Sequence, residues 1–114
     1  MPELLRTPDY YFEGLPDFPF SPNYIRINGA NVHYIHEGKT NKKTLLLLHG
    51  NPTWSFMYRY VIAAFSSEYQ VIVPDFIGFG KSDKYTRQED YSYELHLEML
   101  LEFIRRMGLS LIHI

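Results

Sequence analysis

The residues best equipped for chemistry lie in one short stretch, His49-Gly-Asn-Pro-Thr-Trp54, directly after the aliphatic run Thr44-Leu-Leu-Leu-Leu48. Open α/β sheets place their ligands just beyond the carboxyl ends of buried strands. At such a place Gly50 lets the backbone turn sharply and present N–H groups to an anion. Asn51 adds a side-chain amide donor, and the pair suits an oxyanion or a halide. The same residues also read as a plain Asn-Pro turn, since such turns are common. Spacing alone leaves both readings open.

A second loop, Pro74-Asp-Phe-Ile-Gly-Phe-Gly-Lys-Ser-Asp83, invites three catalytic readings and fits none of them. A phosphate loop requires Gly where Asp75 stands and an apolar helix after Lys81-Ser82. A dinucleotide fingerprint requires Gly at Asp83. A serine elbow requires Gly at Lys84, so Ser82 is not that nucleophile. What remains is a structural turn, in which Asp75 hydrogen-bonds neighbouring loop amides and Gly78 and Gly80 permit close backbone approach. His33, His36 and Glu37 suggest a metal site only superficially. Residues three apart on a strand face opposite ways, so no metal is expected there. Trp54, a lone aromatic at a helix start, is expected in the core.

The surrounding pattern shows what must hold these loops. Residues 24–27 and 32–36 alternate around Asn28-Gly29, the signature of a tight antiparallel hairpin. The runs 44–48 and 70–73 are continuously apolar, as in parallel strands buried on both faces. Between them residues 56–65 predict a helix, with Tyr60, Val61, Ala64 and Phe65 as its apolar spacing. A longer helix runs from an N-cap at Ser92 to about Met107 and stops at Gly108. Its expected apolar stripe is Tyr93, Leu97, Leu100, Ile104 and Met107. Strand, helix, strand argues a right-handed crossover in a parallel sheet. Residues 1–23 hold five prolines among aromatics, which predicts an extended arm. Tyr10, Tyr11, Phe12, Phe18 and Phe20 are expected to pin that arm to residues 24–114, read as the N-terminal part of a single α/β domain.

Composition narrows the function classes. The chain has 114 residues, a net charge of -2, an apolar share of 46% and no cysteine. That suits one packed domain, with no disulfide framework and no thiol nucleophile. A near-neutral balance offers no field for nucleic acid. The longest pure aliphatic run, 45–48, is too short to cross a bilayer, and the N-terminus has no signal-peptide pattern. A cytoplasmic protein, with neither nucleic-acid nor membrane partners, is the expectation.

Taken in order, both loops, Tyr58-Arg59 between them, and the arm motifs Arg6-Thr-Pro-Asp9 and Phe18-Pro-Phe-Ser-Pro-Asn-Tyr24 closely resemble the haloalkane dehalogenases of the α/β-hydrolase fold. The likeness runs from about Arg6 to Leu109. It implies hydrolytic dehalogenation through a covalent ester. An aspartate on the next strand attacks the carbon bearing the halogen, a histidine activates water against the ester, and an acid orients the histidine. It further implies that Asn51 supplies an oxyanion-hole N–H and a halide-binding amide. His49, Gly50, Pro52, Asp75, Gly78 and Gly80 would shape the loops. The substrate would be a small halogenated alkane, with no metal or organic cofactor. Two departures stand out. Branches with this arm often carry Glu at the position of Asn51, and Tyr85 stands where Pro is usual. Rival readings are an epoxide hydrolase or another ester or C–C bond hydrolase of this fold, or a non-catalytic binding protein built on it.

In the resemblance the nucleophile, acid and base lie beyond Ile114. The chain is therefore expected to stop short of the nucleophile elbow, and residues 109–114 to be translated sequencing adaptor, with the start of a genuine strand as the competing reading. On this expectation residues 1–114, expressed alone, release no halide from any haloalkane and are insoluble or molten with strong dye binding. Ion chromatography and denaturant titration check this. Measurable turnover, or cooperative unfolding of a monomer, would contradict it.

Overall fold

A computed structural model describes residues 3–39, 42–109 and 112–113. Strand β1, Leu4–Leu5, is followed by a 3-10 turn at Asp9–Phe12 and then by the hairpin strands β2, Asn23–Ile27, and β3, Ala30–Glu37. Asn28 and Gly29 sit at φ 51° and 83°, as a two-residue type I′ turn demands. Strand β4 is Thr44–Leu46, and a 3-10 turn at Ser55–Tyr58 leads into helix α1, Arg59–Phe65. Strand β5 is Gln70–Pro74, β6 is Lys84–Tyr85, helix α2 is Tyr93–Met107 and β7 is Ile112–His113.

Five strands form one sheet in the order β2-β3-β5-β4-β7. The hairpin joins antiparallel through β3 and β5, while β5, β4 and β7 run parallel. This is an α/β architecture with an antiparallel hairpin leading into a parallel sheet. Strand β5 is central, and all five of its residues are buried. Its side chains alternate between two cores. Ile72 packs with Ile27, Val32, Leu46, Met99 and Phe103 on the α2 side. Val71 and Val73 pack with Ile35 and Ile62 on the α1 side.

Strand β4 is shorter and less covered than its sequence predicts. Ladder pairing ends at Leu46, and Leu45, Leu47 and Leu48 are only partly buried. Helix α1 buries Ile62, whereas Tyr60, Ala64 and Phe65 of the expected spacing are exposed. Of the segment 109–114, for which an adaptor origin is expected, residues 110, 111 and 114 lie outside the described residues. Ile112–His113 pairs in parallel with Thr44 and Leu45.

Helix α2 begins and ends where its sequence places it. Ser92 Oγ accepts from the Leu95 N–H at 3.0 Å. Gly108 turns to φ 69°, and Gly108 and Leu109 donate to Arg105 and Ile104, which closes a Schellman motif. Its buried stripe is centred on Met99 and Phe103, to one side of the expected one; Tyr93 is 77% exposed and Leu97 41%.

The arm is anchored more specifically than proline density predicts. Strand β1 pairs antiparallel with β6, and Thr86 N–H donates to Glu3 O at 3.1 Å. Phe12 and Phe18 both pack on Trp54, with ring centroids 5.3 and 5.5 Å away. Phe20 meets Phe18 edge-on. Tyr10 and Tyr11 face solvent, so they stack on each other and pin nothing.

The rotated stripe of α2 has a measurable consequence. Phe103→Ala opens a cavity in the sheet–helix core and should cost about 3–5 kcal/mol. Leu97→Ala should stay within about 1 kcal/mol, since much of that side chain already meets water. Urea unfolding of the protein that carries this segment compares them; equal losses would contradict the assigned face.

Candidate functional site

The two loops singled out in the sequence meet at the carboxyl ends of β4 and β5. The first makes a tight turn. Thr53 N–H and Thr53 Oγ1 donate to the Gly50 carbonyl at 2.9 and 2.6 Å, and the Asn51-Pro52 peptide between them is cis, as in a type VI turn. Gly50 itself has no left-handed φ, and a Cβ built on it meets open space. The turn therefore does not draw on glycine's backbone freedom there, contrary to expectation.

The second loop is organised by Asp75, which is fully buried. Its Oδ1 accepts from the Ser55 N–H at 2.6 Å. Its Oδ2 accepts from the Lys81 N–H at 3.1 Å and lies 2.8 Å from His33 Nδ1. Ser82 Oγ donates to the Asp75 carbonyl and accepts from His33 N–H. Gly80, at φ 54°, lies so close that a Cβ would come within 2.4 Å of Asp75 Oδ2 and 2.7 Å of Trp54. At Gly78 a Cβ would strike the Tyr91 ring at 2.6 Å. Both glycines thus serve the close approach read from the sequence.

Between the loops opens a cleft of about 200 Å3, lined by His49, Gly50, Asn51, Phe76, Phe79 and His96. It adjoins a second hollow where Asn51 and His96 meet Gly78, Phe79 and Tyr91. Among the described residues, neither the side-chain amide nor the backbone N–H of Asn51 has a hydrogen-bond partner. The walls are aromatic: Phe76 meets His49 and His96 edge-on, and Tyr91 stacks near His96. Burial above all holds the His96 imidazole below its ordinary value. Burial likewise lowers Lys84, although Asp75 and Asp83 pull it upward. The Lys84 ammonium donates to the Gly80 and Ser82 carbonyls at 2.6 and 2.9 Å, which closes the second loop from beneath. Asn51 and Gly50 are exposed at its rim, so the free Asn51 donors sit at the opening of an aromatic-walled cleft, where an anion entering from solvent would meet them.

The remaining candidates take structural places. His33 engages Asp75, and His36 Nε2 bonds to Gln70 Oε1 at 2.8 Å. Among the described residues no group of three His, Asp or Glu is arranged to hold a metal ion. Trp54 stacks on Phe56 and receives the arm. The cleft residues that the sequence reading passed over are Phe76, Phe79, Tyr91 and His96. Phe76 and Phe79 sit inside a loop assigned a structural role, and His96 falls off the stripe chosen for α2. A histidine in the first turns of a helix that follows a ligand-type loop is the signal that was available.

Comparison with known proteins agrees with this geometry. A family model described as the alpha/beta hydrolase fold matches residues 43–114. A haloalkane dehalogenase of Mycolicibacterium paratuberculosis is 41% identical over 113 residues, which is 94% of this chain and 38% of that protein. One of Psychrobacter cryohalolentis is 37% identical over 114 residues, 95% of this chain and 38% of the relative. The solved tetrameric haloalkane dehalogenase of Paraglaciecola agarilytica NO2 superposes with a TM-score of 0.92 at 40% identity, covering 96% of this chain and 39% of that one. The chain thus spans a little over a third of the length of these relatives. A hairpin entering a parallel sheet, two loops meeting at the ends of β4 and β5, and a family model matched over most of the chain lead to one conclusion: the chain belongs to the α/β hydrolase fold family.

Proposed function

We propose that the protein containing this chain hydrolyses the carbon–halogen bond of a small haloalkane, and that Asn51 receives the departing charge. The observation that carries this reading is the pair of Asn51 donors that have no partner among the described residues, exposed at the mouth of an aromatic cleft beyond the parallel strands. Similarity to haloalkane dehalogenases at about 40% identity supports it.

In the proposed reaction a carboxylate oxygen forms a bond to the substrate carbon as the halide leaves with the bonding pair. Water then attacks the resulting ester, which releases the alcohol and a proton and restores the carboxylate. Only electron pairs and protons move, so the proposal includes no redox cofactor and no metal. A halide is large and diffuse, and it is best held by N–H dipoles in a dry, polarisable pocket. Phe76, Phe79 and Tyr91 supply polarisable walls, and Asn51 at the rim supplies the dipoles. The neutral form of His96, favoured by burial, adds no fixed positive charge that would trap the product halide. Cytoplasmic residence is part of the same proposal, and cell fractionation checks it.

Asn51→Ala removes the amide and keeps the backbone N–H. In the full-length protein it is expected to lower kcat for a bromoalkane on the order of 10²-fold, by analogy with loss of one oxyanion-hole donor. Halide quenching of tryptophan fluorescence should weaken in parallel. A kcat and halide affinity equal to the parent's would overturn the reading.

A further inference from the structure

We propose that His49 is a positioning residue, a neutral imidazole strut that aims the Asn51 N–H into the cleft. The proposal rests on the reading of Asn51 above, and it adds the means by which that donor is oriented.

The ring is buried, and both of its nitrogens are accounted for. The Phe76 N–H donates to Nε2 at 2.9 Å, which makes Nε2 the bare nitrogen. The ring proton therefore sits on Nδ1, which donates to the Gly50 carbonyl at 2.9 Å. Only this tautomer satisfies both bonds. The consequence follows from the planarity of the peptide group. The Gly50 carbonyl and the Asn51 N–H belong to one peptide unit, and in a trans unit they point in opposite directions. The cis bond lies one residue later, between Asn51 and Pro52. Whatever holds the Gly50 carbonyl therefore sets where the Asn51 N–H points. Three donors converge on that carbonyl, the His49 ring and the two groups of Thr53. Thr53 is local to the turn. Among the described residues His49 alone ties the carbonyl to the far loop, through Phe76 beyond the end of β5, 27 residues along the chain. Phe76 and Phe79 pack edge-on against the ring at 5.1 and 5.2 Å and keep it from rotating. A full base or nucleophile needs a free nitrogen, and this ring has none to spare.

The test uses the full-length protein and begins without substrate. Nitrogen-15 NMR of labelled histidine should show one ring protonated at Nδ1 and bare at Nε2, with a slowly exchanging Phe76 amide. The opposite tautomer, or a ring protonated at both nitrogens at neutral pH, would overturn the proposal. His49→Phe keeps the aromatic packing and removes both hydrogen bonds. It should lower kcat about tenfold to 100-fold, as expected for a donor displaced by a fraction of an ångström to an ångström, with KM changed by less than about threefold. A His49→Phe variant that folds and keeps kcat within twofold of the parent would show that the ring is only a filler. The NMR measurement decides if that variant does not fold. If the protein cleaves no haloalkane, the functional reading above fails, while the tautomer and the Phe76 amide still judge the strut.

Discussion

The fold around the cleft depends on one buried carboxylate. Asp75 gathers the Ser55 N–H, the Lys81 N–H and the His33 ring, from three separate stretches of chain. Burying such a group without partners costs several kcal/mol, and charge-assisted hydrogen bonds from fixed backbone amides are what make it tolerable. Because the donors come from the first loop, the second loop and the hairpin, satisfying Asp75 forces the three to converge. The glycine at 80 is the corollary, since its missing Cβ lets the loop close over the carboxylate. The cleft is thus shaped from below by a group that never enters it.

The arm reinforces the same loop from outside. Strand β1 adds two residues to β6, Arg6 reaches Asp83 at 3.3 Å, and Lys81 lies over the faces of Phe12 and Phe18. An ion pair whose arginine is largely solvated, as Arg6 is beside the buried Asp83, contributes little by itself. Phe18 adds aromatic contacts to Trp54 and Phe56 at 5.5 and 5.3 Å, of a kind that favours attachment beyond the area it buries. Since Trp54 closes the first loop and Lys81 lies in the second, one segment restrains both.

How much of this was readable depends on the range of the signal. Asn28-Gly29, Ser92 and Gly108 act within four or five residues, and each sits where its chemistry predicts. Run 70–73 is buried as its aliphatic content demands. Helix α2 shows where local reading stops. Its apolar residues cover more than half of its circumference, so periodicity permits several faces, and only packing against β2 and β3 selects Met99 and Phe103. The pairing of Glu3 with Thr86, 83 residues apart, has no local signature at all. In the candidate site, the turn at 49–54 stood out because strand end, glycine and amide are adjacent in sequence, and its service to an anion is the proposal made above. His96 was not, because it reaches the cleft only through the phase of its helix.

The two loops also differ in how their polar groups are used. Asn51 is exposed at the rim of the cleft, so its free donors face solvent at a concave surface. In the second loop nearly every polar group has a partner: Asp75 three, Ser82 two, Asp83 the Asn31 backbone, and Lys84 two carbonyls. In the first, the Gly50 carbonyl is oversupplied with donors while the Asn51 N–H and amide, one peptide away, have none among the described residues. The two facts are the opposite ends of a single dipole. Concentrating donors on the carbonyl fixes that dipole in space, and it polarises the N–H left facing the cleft. The role proposed for Asn51 draws on this arrangement: three donors hold the carbonyl, and the N–H has no partner among the described residues.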